Sequence, residues 1–356
     1  MPRPIDAVID LGALRSNLHL ARERAGQAHV LAVVKADAYG HGFARVFPAF
    51  SDADGLAMLE LDAALLAREL GYKKPLLLLE GFFDSAELAM FSEHSLTTVV
   101  HHPDQVEMLC AASLSRPIDV HLKINTGMNR LGFTPKAFAA AIETLRGSAN
   151  VRSLTAMTHF ADADGARGVD WQLERLRAAM PAPALPFAAA NSAALLRYPQ
   201  AVGDWVRPGI MLYGASPFAD ETAQALGLQA VMSLRSRIIA TQQLAPGDSV
   251  GYGCTYTTDR PMRIGIVACG YGDGYPRHAP ANTPVLVDGQ PTGTIGLVSM
   301  DMLAVDLTGR QAAGVGSAVT LWGRGLPVET VASAAGTVSY ELLCALKARV
   351  PVRTID

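Results

Sequence analysis

"VLAVVKADAYGHG" (residues 30–42) runs five apolar residues, Val30–Val34, directly into Lys35, then adds Tyr39, two glycines and His41. Such a run reads as a strand buried on both faces, as a parallel sheet requires. An amine at the end of that strand costs free energy unless it is paired, neutralised or used. One use is a Schiff base with a carbonyl compound.

Outward from this stretch, strand-like runs recur at 55–59, 75–80, 96–100, 119–124, 153–160, 186–191 and 204–209, with helix-like patterns between them. An apolar stripe over 11–25 that stops at Gly26 precedes the series. Eight strands with crossover helices predict an α/β fold, a (β/α)8 TIM-type barrel. An open doubly wound sheet is the alternative, but the pattern shows no switch point. Beyond residue 228 long helical patterns vanish. Strand-like runs take over, punctuated by "APGD" and "VDGQ" turns, and two helical stretches near 328–336 and 339–349 close the chain. The expected domains are therefore a barrel over 1–228 and a mostly β domain over 229–356, with the first strand, within 1–10, able to pack with the second.

The bulk properties agree with two globular domains. The chain has 356 residues, 50% of them hydrophobic and 18% charged, which is long for one core and too apolar for disorder. A net charge of −3 offers no basic face, so no nucleic-acid partner is expected. "MPRPIDAVIDL" has no apolar signal core, and no run nears the ~20 residues of a membrane span. Cys110, Cys254, Cys269 and Cys344 are scattered without ligand-pair spacing. They read as buried or partly buried free thiols of a reducing cytoplasm, not as a metal site.

In a barrel, chemistry sits at the C-terminal strand ends. Here those ends carry Lys35, Lys123, His159, Asn191 and Arg207. Taken singly, each has a plain structural explanation; five converging at one mouth ask for a functional one. The loops "ANSAAL" and "RPGIMLYG" follow the last two strands, where barrels bind phosphate through backbone N–H groups and a hydroxyl. Ser192, Gly209 and Ile210 suit that task. A lysine able to form a Schiff base, a phosphate cradle and an arginine describe a pyridoxal phosphate site. "CGYGDGYPR" lacks the dinucleotide spacing, and "DADG" (162–165) is too short for a calcium loop.

The blocks "VVKADAYGHG", "KINTGMNRLGF", "THF", "ANSAALL", "RPGIMLYG", "VGYGCTYTT", "GYGDGYPR" and "VSMDMLAVDL", in this order, resemble the alanine racemase family nearly end to end. The resemblance implies a pyridoxal-phosphate enzyme racemising alanine, a barrel plus a β domain, working as a head-to-tail homodimer. It implies that Lys35 carries the cofactor and is one of two bases. Tyr252, from the other subunit, is the second. Tyr39 bonds the phosphate with Ser192, Gly209, Ile210 and Tyr340 nearby, and Asn191 belongs to the same cofactor-binding set. Arg207 faces the pyridine nitrogen, and His159 stacks near the ring. Arg130 approaches the cofactor's phenolic oxygen and the substrate carboxylate. Met300 offers a backbone contact to that carboxylate, and Tyr271 lines the entrance. Lys123 matches a position often carbamylated, which would give an anion able to hold Arg130.

The residue types suit this chemistry. Two bases on opposite faces can remove and return an α-proton without turning the substrate. Tyrosine, with a reference pKa of about 10, needs a cationic neighbourhood to act as a base. Arginine does not readily give up its proton, so a pyridine nitrogen facing it should stay largely unprotonated. A racemase of serine or another small amino acid stays open. A basic amino-acid decarboxylase would place an acid at the pyridine nitrogen, and a non-catalytic pyridoxal-phosphate carrier would need neither Tyr252 nor a β domain. D-alanine supply for peptidoglycan and alanine catabolism are both compatible with the sequence.

Overall fold

The chain lays down one strand, β1 (Asp6–Asp10), and then eight parallel ones: β2 (His29–Val33), β3 (Gly55–Met58), β4 (Leu76–Leu78), β5 (Thr97–Val100), β6 (Ile118–Lys123), β7 (Val151–Met157), β8 (Phe187–Ala188) and β9 (Trp205–Val206). Each of the eight pairs with the next, and β9 pairs back onto β2 through His29↔Trp205 and Val30↔Val206. The sheet is thus a closed barrel, and the open doubly wound alternative is excluded. The computed structural model describes residues 3–356. Residues 18–38 and 42–212 form one compact unit; the chain up to Asn17, residues 39–41 and residues 213–356 form the other.

Helices between the barrel strands bury one stripe each. Pro135–Arg146 shows the logic. Thr134 caps its start by accepting from the Ala137 N–H, Pro135 takes the first turn, and Phe138, Ala141, Ile142 and Leu145 are buried. Burying Phe138, Ile142 and Leu145 stabilises the packing by roughly 1.5–3 kcal/mol each. The two last strands are shorter than their apolar runs, 186–191 and 204–209, with two residues each in ladder geometry.

The chain after β2 departs from the sequence reading. The strand stops at Val33, so Lys35 lies two residues beyond it, and Lys35 is only partly buried. Lys35–Gly40 then form a short helical turn in which Ala36, Asp37, Ala38 and Tyr39 all have φ between 52° and 54°. This is the left-handed region, which costs a side-chain-bearing residue roughly 1–2 kcal/mol. Asp37 ties the turn down: its Oδ1 accepts from Phe43 N–H at 2.6 Å and its carbonyl from Gly42 N–H at 2.9 Å.

The second unit is built on β10 (Met232–Leu244), β11 (Ser249–Val250), β12 (Tyr256–Thr257), β13 (Met262–Val267), β14 (Pro284–Val287), β15 (Gln290–Ile295), β16 (Leu303–Asp306), β17 (Ala318–Trp322) and β18 (Val352–Ile355). Its large sheet runs β13-β16-β15-β14-β17-β10-β1-β18, and the long β10 also pairs with β13 across a register shift between Ile238 and Ala240. The first strand of the chain lies here, antiparallel to β10 and parallel to β18. Helices Val328–Ala334 and Ser339–Cys344 follow β17. Of the cysteines, Cys269 is buried, while Cys110, Cys254 and Cys344 are exposed, contrary to their expected burial, and none of the four is in a disulfide among the described residues. Among the described residues no helix is long and apolar enough to cross a membrane.

Candidate active site

The barrel positions its polar side chains at strand ends. Lys123 closes β6 and is buried. His159 lies two residues past β7, Asn191 and Ser192 follow β8, and Arg207 follows β9. Arg130, in the exposed segment after β6, belongs to the same field. Burial, then Arg207, Arg130 and Lys35, push the Lys123 ammonium down to about 8, and Glu80 past β4 partly offsets them. The same burial and cations hold the His159 imidazole well below its usual range. His121, one turn of the pleat below Lys123, is lowered to about 3 by burial and by Arg207. Both rings are therefore neutral at pH 7, and the charge here is positive.

Arg207 is the most constrained of these cations. It is buried, and its Nη2 donates to the Thr158 carbonyl at 2.7 Å and the Ala189 carbonyl at 3.3 Å. Among the described residues no carboxylate meets it. Its Nη1 is buried and finds no acceptor among the described residues. An orphaned guanidinium N–H in a fixed orientation suits an acceptor brought by a ligand, such as a pyridine nitrogen.

A buried neutral network supports the same strand ends. Thr158 Oγ1 donates to the Ile124 carbonyl at 3.0 Å and lies 2.7 Å from Thr126 Oγ1. Gln172, wholly buried, donates from Nε2 to Thr126 Oγ1 (2.8 Å) and to the His159 carbonyl (3.1 Å), while its Oε1 accepts from Ala161 N–H (2.7 Å). The carbonyl that anchors Arg207 is Thr158's own, so the network ties Arg207 to the His159 loop. Thr126, Thr158, Gln172 and Glu80 escaped the sequence reading. A buried glutamine in the polar segment "DWQLERLRA" has no periodic signal to betray it.

The phosphate-cradle residues meet as well. Ser192 Oγ accepts from Gly209 N–H at 2.9 Å and from Met211 N–H at 3.3 Å. Gly209 N–H is thus turned toward Ser192. Of the two expected amides, the Ile210 N–H is the one that finds no acceptor among the described residues. With its lone pairs so occupied, the Ser192 hydroxyl can donate to an anion. Asn191 Oδ1 caps Ser192–Arg197 by accepting from Ala194 N–H at 2.9 Å, so its carbonyl end has a structural task.

The other candidates lie in the second unit. Tyr39 is buried and stacks on Tyr213 with centroids 4.6 Å apart; Tyr340 lies 6.0 Å from it. Burial pushes the Tyr39 phenol above its usual range, so it stays a hydroxyl donor. Tyr252 sits in the turn Tyr252–Cys254 with 69% of its surface exposed. Tyr271 opens the turn Tyr271–Asp273, and Met300 lies in the loop bonded to it through Gly272 N–H→Met300 carbonyl, 2.8 Å. Tyr271, Met300 and Tyr340 are exposed too.

A larger groove, about 540 Å³, lies at the N-terminal ends of the barrel strands, lined by Arg68, Lys73, Lys74 and Arg152 among others. Most of its cations are committed. Arg68 donates to four backbone carbonyls, Lys74 to those of Ser51 and Ala53, and Arg152 pairs with Asp119. The mouth, with Arg207 Nη1 unmet, is the stronger site.

Comparison with known proteins agrees with this geometry. Residues 9–217 match the family "Alanine racemase, N-terminal domain", and residues 231–354 match "Alanine racemase, C-terminal domain". The alanine racemase of Nitrosospira multiformis is 55% identical over 352 residues, 98% of this chain and 99% of that protein. The alanine racemase of Thiobacillus denitrificans is 56% identical over 353 residues, 99% of this chain and 96% of that protein. The crystal structure of the biosynthetic alanine racemase from Pseudomonas aeruginosa superposes with a TM-score of 0.97 at 47% identity, covering 99% of this chain and all of that one.

Proposed function

The chain belongs to the alanine racemase family, and from that premise we propose that it interconverts L- and D-alanine with pyridoxal phosphate at the barrel mouth and one base on each face of the substrate. Family membership makes it an isomerase acting on alanine. The observation that carries the cofactor reading is Arg207: a buried cation fixed by two carbonyls, with Nη1 left to an outside acceptor.

The residues present fit the group. The Lys35 amine would join the cofactor's aldehyde. Ser192 and the Ile210 amide, with Tyr39 and Tyr340, would hold its phosphate; Gly209 would serve by giving its N–H to Ser192 Oγ and so orienting that hydroxyl, with Asn191 fixing the helix start beside Ser192. Arg207 would meet the pyridine nitrogen, and His159 the ring. Bound there, pyridoxal phosphate supplies an electron-accepting ring that makes the substrate's Cα–H acidic. Lys35 Nζ then moves a proton on one face, and Tyr252 Oη of the partner subunit moves one on the other. Burial lowers the Arg207 guanidinium to about 10, so at neutral pH it remains charged and gives no proton to the nitrogen. Arg130 and the Met300 amide hold the carboxylate, and Tyr271 lines the way in.

Lys123 has a further part. With a pKa of about 8, a minority of its amine is neutral at pH 7 and able to add carbon dioxide, releasing a proton and becoming a carbamate anion. That anion would hold Arg130 in a field otherwise positive. The homodimer is supported by the large apolar side chains that the β-rich unit leaves exposed: Tyr252, Tyr271, Met300, Met302, Val338 and Tyr340. We assign the cofactor-binding barrel to residues 1–228, and the second base together with Tyr340 to 229–356, in a cytoplasmic enzyme. The Pseudomonas aeruginosa relative is described as biosynthetic, which favours D-alanine supply over catabolism.

Purified protein given each L- and D-amino acid in turn should racemise alanine fastest. Borohydride should bleach its yellow colour and label Lys35. Serine as the faster substrate, or a label on Lys123, would overturn the assignment.

A further inference from the structure

Asp273 is a wholly buried carboxylate that the proposed chemistry does not use. It accepts from Gly270 N–H at 2.9 Å, Arg3 Nη1 at 2.5 Å and Arg349 Nε at 2.8 Å. Each guanidinium reaches onward to the same neighbouring loop. Arg3 Nη2 donates to the Asp301 carbonyl. Arg349 Nη2 donates to Asp301 Oδ1 at 2.6 Å and lies 3.5 Å from the Met300 carbonyl. Backbone bonds add to the grip: Tyr271 N–H donates to the Ser299 carbonyl at 3.1 Å, and Gly272 N–H to that of Met300 at 2.8 Å. The approach leaves no room for side chains, since a Cβ on Gly270 would lie 2.2 Å from the Ser299 oxygen.

This grip has a direction. A trans peptide points its C=O and the following N–H to opposite sides. With the Ser299 carbonyl held toward Tyr271, the Met300 N–H is turned away from Tyr271, and it finds no acceptor among the described residues. We propose that Asp273 is a positioning residue for the substrate carboxylate, setting the Met300 amide through Arg3 and Arg349. The proposal rests on the reading of Met300 as the amide that receives that carboxylate.

The test uses the cofactor-loaded enzyme with Asp273→Asn, Arg349→Lys and Arg3→Lys. Asparagine keeps the shape but loses the charge and turns an N–H₂ toward a donor. Lysine keeps the charge but loses the fork. Asp273→Asn should raise the KM for alanine about tenfold with kcat within about twofold, the loss expected of one charge-assisted contact. Cofactor absorbance per chain should not change. Propionate, a carboxylate without an amine, should inhibit the wild type competitively and the variant about tenfold more weakly. The lysine variants should shift both constants in the same direction by less.

The outcomes separate. If propionate does not compete in the wild type, the Met300 reading fails and takes the proposal with it. If propionate competes equally in wild type and variants and the alanine KM is unchanged, the Asp273 proposal is overturned while Met300 stands. A role in stability alone would lower the melting temperature or kcat and leave KM and the propionate constant in place, which also overturns it. Should Asp273→Asn fail to fold, Arg349→Lys and Arg3→Lys decide between the same outcomes.

Discussion

The barrel mouth and the β-rich unit treat buried charge in opposite ways. At the mouth, Arg207 is held by neutral carbonyls and keeps one nitrogen unmet. In the β-rich unit, Arg3 and Arg349 close on Asp273, and Arg349 adds Asp301. A compensated charge holds a shape; a buried cation with an N–H left unmet waits for an acceptor from a ligand. The difference therefore sorts residues by task before any ligand is considered.

The largest effect expected of this division is on the proton transfers. Lys35→Ala and Tyr252→Phe should each lower kcat by about 10²–10⁴-fold. Co-refolded in equal amounts, the two proteins should recover roughly a quarter of wild-type activity, because about half the dimers are mixed and each mixed dimer holds one intact site. Mixed dimers confirmed by mass but inactive would mean that Tyr252 serves its own chain.

Next comes a substitution on each side of the comparison. Asp273→Asn breaks a compensated pair and should cost about 3 kcal/mol of stability. Arg207→Met removes a charge that has no counterpart, which offsets its two lost carbonyl bonds, and should change the stability of the cofactor-free protein by no more than about 1 kcal/mol. Cofactor affinity should nonetheless fall at least about tenfold, the worth of one contact to a charged group. Denaturant melts and absorbance titrations measure both. An Arg207→Met protein as damaged as Asp273→Asn would erase the distinction.

Acid should separate the two units more gently. His121, His159 and His101 have native pKa values held below the ordinary one, so unfolded chains take up protons near pH 6.5 that the native barrel refuses. Barrel stability should be lost as pH falls through this range. Asp273 is also lowered, but it is a carboxylate, so its contribution is present above about pH 4 and lost only below that. Hydrogen exchange at pH 5, corrected for intrinsic rates and read peptide by peptide, should show weakened barrel protection and an unchanged β-rich unit. Parallel loss in both would contradict the assignment.

The smallest effect concerns the turn after β2. Ala36 has φ of 53°, where glycine is better tolerated than alanine. Ala36→Gly should be neutral or stabilising by up to about 1 kcal/mol, opposite to the usual cost of glycine in a helix. A loss of that size in a thermal melt would show that the turn is not strained.

Much of this was legible in the sequence, for reasons that differ by region. The barrel strands announced themselves because a strand buried on both faces must be apolar without interruption, and a cation at its end breaks the run visibly. The left-handed turn did not, since Ala36, Asp37, Ala38 and Tyr39 include no glycine to signal positive φ. Tertiary contacts overrule local preference there. Asp273 was invisible for a different reason: it sits in a glycine-rich turn without periodicity, and its partners Arg3 and Arg349 lie 270 and 76 positions away. The Gln172 network likewise joins distant segments through neutral hydrogen bonds that leave no compositional trace.

The closure of the barrel also sets an order in time. The β2–β9 seam joins positions 29–30 to 205–206, and β8 and β9 share a single paired position, Ala188↔Trp205. Contacts of such long sequence separation are the slowest to form, because most of the chain must be ordered before they repay the entropy of closing it. Arg207 stands one residue beyond that seam. During refolding, secondary structure should therefore recover before the polypeptide can capture pyridoxal phosphate. The interval between the two signals measures how long a newly made chain has its scaffold without its site.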